Sequence, residues 1–310
     1  MVSTSRATLV GIVAILLWSL LALLTAASGR VPPFQLVAIC FAIASVIGLI
    51  SLWRSGTGLA VFRQPAPVWI LGVGGLFGYH FFYFTALRHA PPVEAGLIAY
   101  LWPLLIILFS ALLPGERLRL HHVIGGLLGL AGAFLIVTRG GDGGGGGGGS
   151  EEIVGFAINA DYLFGYIAAC LCALIWSGYS VLSRRFADVP SQIVTGFCAI
   201  SCLLALFAHL LLEETVIPES FGQWLAVLGL GLGPVGLAFY VWDYGVKKGN
   251  IQVLGAASYA APVLSTLALI AAGFAQFTWS IALATVLVTL GAVVAAKDMI
   301  LTSRRPSDPS

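Results

Sequence analysis

Ten apolar stretches run along the chain, at 7–27, 34–53, 67–87, 93–113, 122–138, 161–183, 190–212, 221–243, 250–272 and 276–296. A helix needs about 20 mostly apolar residues to cross a bilayer, so the pattern predicts ten transmembrane helices. Short polar breaks separate most of them, among them Pro32-Pro33, Pro91-Pro92, Pro114-Gly115 and Lys247-Lys248-Gly249-Asn250. Links of that length set neighbouring helices antiparallel. The break at 139–160 differs: it holds Gly140-Gly141-Asp142, seven glycines at 143–149, and Ser150-Glu151-Glu152. It reads as a flexible linker joining a first five-helix unit, 7–138, to a second, 161–296. No GK[ST] follows these glycines, which argues against a phosphate loop.

Composition agrees with the pattern. Hydrophobic residues make up 59% of the chain and charged residues 9%, against about 25% charged in an average soluble domain. The five cysteines, at 40, 170, 172, 198 and 202, all fall in apolar runs without zinc-site spacing and read as packing residues. The first run is longer than the h-region of a signal peptide and has a counterpart later in the chain, so it reads as a membrane helix. A net charge of +2 gives no reason to expect a nucleic-acid partner. The expected surroundings are lipid, with no obligatory protein partner.

The basic residues set an orientation. With a cytoplasmic N-terminus, 12 of the 15 Lys and Arg fall on inside segments, and only Arg30, Arg88 and Arg139 fall outside. That bias predicts both termini in the cytoplasm and the linker on the opposite side. Five helices per unit is an odd number, so the second unit enters the membrane inverted.

The two units also repeat in sequence. Tyr100-x-x-Pro103 returns 159 residues later as Tyr259-x-x-Pro262. Gly72, Gly74, Gly96 and Gly132 have glycine mates at the same offset, and Trp18-Ser19 returns 158 residues on as Trp176-Ser177. An inverted repeat with interrupted helices in matching places is a common transporter construction, with the site between the repeats. Pro103 and Pro262 are therefore expected to kink their helices as gating elements. Each is expected to leave the carbonyl four residues back, on Ala99 or Ser258, without its helical partner.

Candidate substrate-binding residues follow from polar and aromatic groups inside the runs. Tyr79 and Tyr83 lie one turn apart, with His80 between them the one ionisable group well inside a run. Trp18, Trp102, Trp176, Tyr179, Tyr100 and Tyr259 complete the set. Aromatic faces can stack an aromatic substrate for about 0.5–1.5 kcal/mol per pair. His80 has a pKa range suited to proton coupling, the alternative being a neutral ring hydrogen-bonded to a tyrosine. Trp242 reads as an interfacial belt residue, Asp243 as half of a surface ion pair with Lys247, and Glu94 and His209 as interfacial. With no carboxylate expected at mid-membrane, a zwitterion moving downhill suits the chain better than a cation. No enzyme motif is present: H-E-x-x-H, G-x-S-x-G and the Walker lysine are all missing, and no catalytic residue, metal or cofactor is expected.

On these residues the chain resembles the drug/metabolite transporter superfamily, in its ten-helix form with two EamA-type domains. The marks are Trp18-Ser19, Trp176-Ser177, Tyr100-x-x-Pro103, Gly115-Glu116-Arg117 and the run Gly125-Gly126-x-x-Gly129-x-x-Gly132. The second unit departs from the pattern where Gly273-Phe274-Ala275-Gln276 replaces Pro114-Gly115-Glu116. The aromatic content and Tyr100-Leu-Trp-Pro103 look most like the bacterial aromatic amino acid exporters. The resemblance implies an all-α fold of two five-helix repeats around a central cavity. It also implies export of amino acids, aromatic ones included, across the bacterial inner membrane. The alternative is export of other small metabolites or drugs, proton-coupled through His80.

Overall fold

The computed structural model describes residues 3–139, 160–273 and 276–298. The Gly-rich linker lies almost wholly outside the described residues. Among those described, the chain is all-helical with no strand. Seven helical segments are long and apolar enough to cross a membrane: Thr4–Ala27, Pro33–Ser55, Ala66–His89, Ala160–Phe186, Ser191–Leu212, Phe221–Lys248 and Ile251–Ala271. Three shorter apolar helices, Glu94–Ser110, Leu120–Ile136 and Trp279–Ala295, occupy the remaining predicted runs. The protein is a multi-pass membrane protein. Its outer faces carry exposed Leu9, Ile70, Phe207 and Leu210, which in water would cost burial energy and in lipid do not.

Several of these segments are interrupted. The first divides into α1 (Thr4–Trp18) and α2 (Leu21–Ala27), and α3 is Pro33–Ser55. The third consists of α4 (Ala66–Val73), a π-helical turn at Gly74–Gly78, and α5 (Tyr79–His89). Then come α6 (Pro92–Ala99), α7 (Trp102–Ser110) and α8 (Leu120–Arg139). In the second half, α9 is Leu163–Leu182 and α10 is Val194–Leu212. A second π-helical turn, Gly233–Leu237, separates α11 (Phe221–Leu232) from α12 (Ala238–Lys248). The chain ends in α13 (Ile251–Ala257), α14 (Ala260–Ala271) and α15 (Trp279–Ala295). The two π-helical turns are 159 residues apart, and both are rich in glycine. The Tyr-x-x-Pro motifs fall at the α6–α7 and α13–α14 breaks.

Neighbouring helices pair across the halves. α8 packs on α15, α3 on α10, α7 on α13, α1 on α12, and α5 on α9. The glycine run in α8 explains the first of these contacts. A Cβ on Gly125 would stand 2.6 Å from the Gly291 carbonyl oxygen, so only glycine lets the two backbones meet. One turn along, a Cβ on Gly129 would stand 2.4 Å from the Tyr259 ring. That missing side chain is the space in which Tyr259 sits.

Candidate functional site

The centre of the molecule is a cluster of aromatic rings. Trp18 ends α1, just before the Ser19–Leu20 interruption, and Trp102 opens α7 just after the Tyr100–Leu101 break. With Trp176 of α9 and Trp242 of α12 they form a tetrad in which all six ring pairs touch, at centroid distances of 5.0 to 6.4 Å. Two indole N–H groups have partners: Trp18 donates to the Pro234 carbonyl in the second π-helical turn (3.1 Å), and Trp242 donates to Ser180 Oγ (3.0 Å). A buried indole needs such a partner, and the π-helical turn supplies one across the halves.

The cluster continues onto α5. Tyr79 lies 5.4 Å from Trp176 and stacks on Tyr83 at 5.9 Å. His80 meets Phe41 at 5.3 Å and Phe239 at 6.0 Å. Tyr179 lies 5.3 Å from Trp176. Burial divides the set in two. Trp102, Trp176, Trp242 and Tyr179 are buried, whereas Trp18, Tyr79, His80, Tyr83 and Tyr100 are half-buried. These five keep some accessible surface beside the fully packed rings.

His80 does not bond a tyrosine. Its Nδ1 lies 2.7 Å from the Leu76 carbonyl. That oxygen can only accept, so Nδ1 carries a proton.

The prolines act differently from the expected mid-helix kink. Pro103 and Pro262 each sit in the first turn after a break, where a helix needs no N–H from that residue. The Ser258 carbonyl, expected to be left free, accepts from Ala261 N–H at 3.1 Å. Tyr259 is fully buried and separate from the tetrad, and its hydroxyl accepts the Leu104 N–H at 3.2 Å. This caps the start of α7 with a side chain from the other half.

Four further expectations need correction. Trp242 is no belt residue: it is 0% exposed and completes the tetrad. It stands 159 residues after Tyr83, so the repeat carried a signal for it. Asp243 is not at the surface. It is 1% exposed and accepts from Lys247 Nζ (2.8 Å), Ser191 Oγ (2.6 Å) and the Tyr179 hydroxyl (3.1 Å). Glu94 is also buried and takes the Tyr166 hydroxyl. His209 is buried between Glu213 and Thr215.

Two polar ties join the halves at the helix ends. Glu116 binds Arg184 at 2.8 Å and Gln252 at 2.9 Å, linking the segments after α7 and α9 to α13. Glu213 binds Arg88 at 2.8 Å and accepts the Phe34 and Gln35 N–H groups at the start of α3. Among the described residues, one group has metal-ligand chemistry, His121, His122 and Asp298, with ligand atoms within 4.8 Å of one another. Arg119 pairs with that same Asp298 at 2.7 Å, which sets a cation against any metal there.

Comparison with known proteins agrees with this architecture. The EamA-like transporter family matches the chain twice, at residues 5–138 and 163–296. The aromatic amino acid exporter YddG of Ancylobacter novellus is 55% identical over 293 residues, covering 94% of this chain and 98% of that protein. The aromatic amino acid exporter YddG of Escherichia coli K12 is 27% identical over 275 residues, covering 84% of this chain and 86% of that one. A solved crystal structure superposes with a TM-score of 0.87 at 52% identity, covering 98% of this chain and all of the other.

Proposed function

The chain belongs to the EamA-like transporter family, and we propose that it exports aromatic amino acids from the cytoplasm across the bacterial inner membrane. One observation carries the reading: four tryptophans (Trp18, Trp102, Trp176 and Trp242) and three tyrosines (Tyr79, Tyr83 and Tyr179) converge from both halves, and Trp18, Tyr79 and Tyr83 among them keep accessible surface. Trp18, Tyr79, His80, Tyr83 and Tyr100 contact the substrate, and Trp102, Trp176 and Tyr179 back them. Tyr259, with Pro103 and Pro262, shapes the broken helices beside the site.

All ten apolar helices cross the membrane as two inverted repeats, 7–138 and 161–296, with a periplasmic linker at 139–160 and both termini in the cytoplasm. The matched π-helical turns, the matched breaks and the double family match support this. So does the packing: the contacts α1–α12 and α9–α5 exchange with each other when the halves are swapped, and α3–α10 and α8–α15 map onto themselves. The repeats then rock about the site in alternating access. In this orientation the tie between Glu116, Arg184 and Gln252 lies at the cytoplasmic end and links the two halves there.

Transport runs downhill. Among the described residues, the one buried carboxylate near the cluster, Asp243, is paired with Lys247, and His80 holds its proton on a backbone carbonyl. Counterflow of labelled Phe, Trp and Tyr in proteoliposomes tests the reading. Uptake of all three against equal internal substrate is expected, and a protein that exchanges none of them does not have this function.

A further inference from the structure

A cavity of about 440 Å³ lies apart from the aromatic cluster, among the ends of α9, α10 and α12. Its walls include Asp188, Ser191, Tyr240, Tyr244, Lys247 and Lys248. In the proposed orientation this is the cytoplasmic side. The volume falls in the range of small-molecule sites, about 300–1,000 Å³. Its chemistry is that of a zwitterion site. Lys248 and Asp188 are exposed and carry opposite charges, and Tyr240 and Tyr244 are half-buried rings. The Tyr240 ring is held in place by its hydroxyl, which donates toward the Ala44 carbonyl (3.0 Å) and Thr195 Oγ1 (3.1 Å).

The cavity is joined to the aromatic cluster through one carboxylate. Ser191 and Lys247, both in the cavity wall, bind Asp243 Oδ2 at 2.6 and 2.8 Å. Tyr179 binds Oδ1 of the same group at 3.1 Å, and its ring touches Trp176 of the tetrad. The seam is closed again one residue away, where Trp242 donates to Ser180. Tyr179–Asp243 and Trp242–Ser180 cross from α9 to α12, and Arg184, in the turn that continues α9, donates to the Val246 and Gly249 carbonyls. Asp243–Lys247 lies within α12 and moves with it, so parting α9 from α12 leaves that ion pair whole.

We propose that this cavity is a loading vestibule, a second binding site that receives aromatic amino acids from the cytoplasm before they pass the α9–α12 seam. Lys248 takes the carboxylate, Asp188 takes the ammonium, and the two tyrosines hold the ring. The proposal rests on the export reading above.

Cysteine protection in nanodiscs tests it. Gln192→Cys, in the cavity wall, is labelled with a water-soluble maleimide in the presence and absence of millimolar L-phenylalanine, against the background of the parent chain. Ala187→Cys is the second reporter should the first fail to fold. Phenylalanine is expected to slow labelling, and to do so still when Tyr79→Ala impairs the central site. Adding Lys248→Gln and Asp188→Asn should weaken protection by about two- to fivefold, the size of an exposed charge contact. Protection that vanishes with Tyr79→Ala, or that ignores the two charge changes, overturns the vestibule. Absent protection in a chain that performs phenylalanine counterflow overturns the vestibule alone. Absent counterflow in the parent chain overturns both readings.

Discussion

Tyr100 and Tyr259 occupy the same place in two copies of one motif, and they do different work. Tyr259 is fully buried, filling the space left by Gly129 and accepting the Leu104 N–H. Tyr100 is half-buried, and its hydroxyl makes no hydrogen bond among the described residues. The reciprocal bond, from Tyr100 to the start of α14, is missing. A duplicated motif has therefore given one tyrosine that holds the broken helices in register and one whose hydroxyl makes no such tie. Repeats fix where a helix breaks, and the surrounding packing decides which copy is spent on structure.

The largest expected effect separates the two directly. Tyr259→Ala should cost about 3–5 kcal/mol of stability, because it empties a buried aromatic site. Tyr100→Ala should cost far less and should instead reduce phenylalanine counterflow. Denaturation in mixed micelles measures the first and proteoliposome flux the second. Equal stability losses would erase the distinction. A finer version removes only the hydroxyl. Tyr259→Phe leaves the Leu104 N–H without its acceptor and should cost about 1–3 kcal/mol, whereas Tyr100→Phe should leave stability unchanged. A silent Tyr259→Phe would mean the cap carries no weight.

Tyr79 extends the comparison to a second wall residue. Tyr79→Ala should weaken phenylalanine binding about two- to tenfold, the worth of one aromatic pair, without loss of folded protein. Binding at the parent affinity would remove Tyr79 from the site. The smallest effect concerns His80. Flux should be indifferent to an imposed pH gradient, both in the parent chain and in His80→Ala. A gradient dependence that disappears in His80→Ala would make the transporter proton-coupled.

Much of this was legible in the residues themselves. The apolar runs located the helices, and Tyr100-x-x-Pro103 with its mate located the breaks to within a residue or two. Trp18, Tyr79 and Trp176 stood out as aromatic groups in mid-run, and they meet in space. Three things did not follow. Trp242 looked like a belt residue, since a position near a helix end says nothing about which neighbours cover it. Asp243 and Lys247 looked like a surface pair, since their spacing is the same whether the face meets water or α9. The prolines looked like kinks, since a Pro in an apolar run does not reveal that the helix has already ended.

Helix placement is a local property, written in the period and length of the apolar pattern, so the sequence by itself determined it. So too the membership of the EamA-like transporter family. The role of each side chain is a property of its surroundings. The Leu104–Tyr259 bond joins residues 155 apart, and Tyr179–Asp243 joins residues 64 apart. Hydrogen bonds and burial at that separation exist only once the two halves have packed, and it was the packing that decided which aromatics are fully buried and which keep accessible surface.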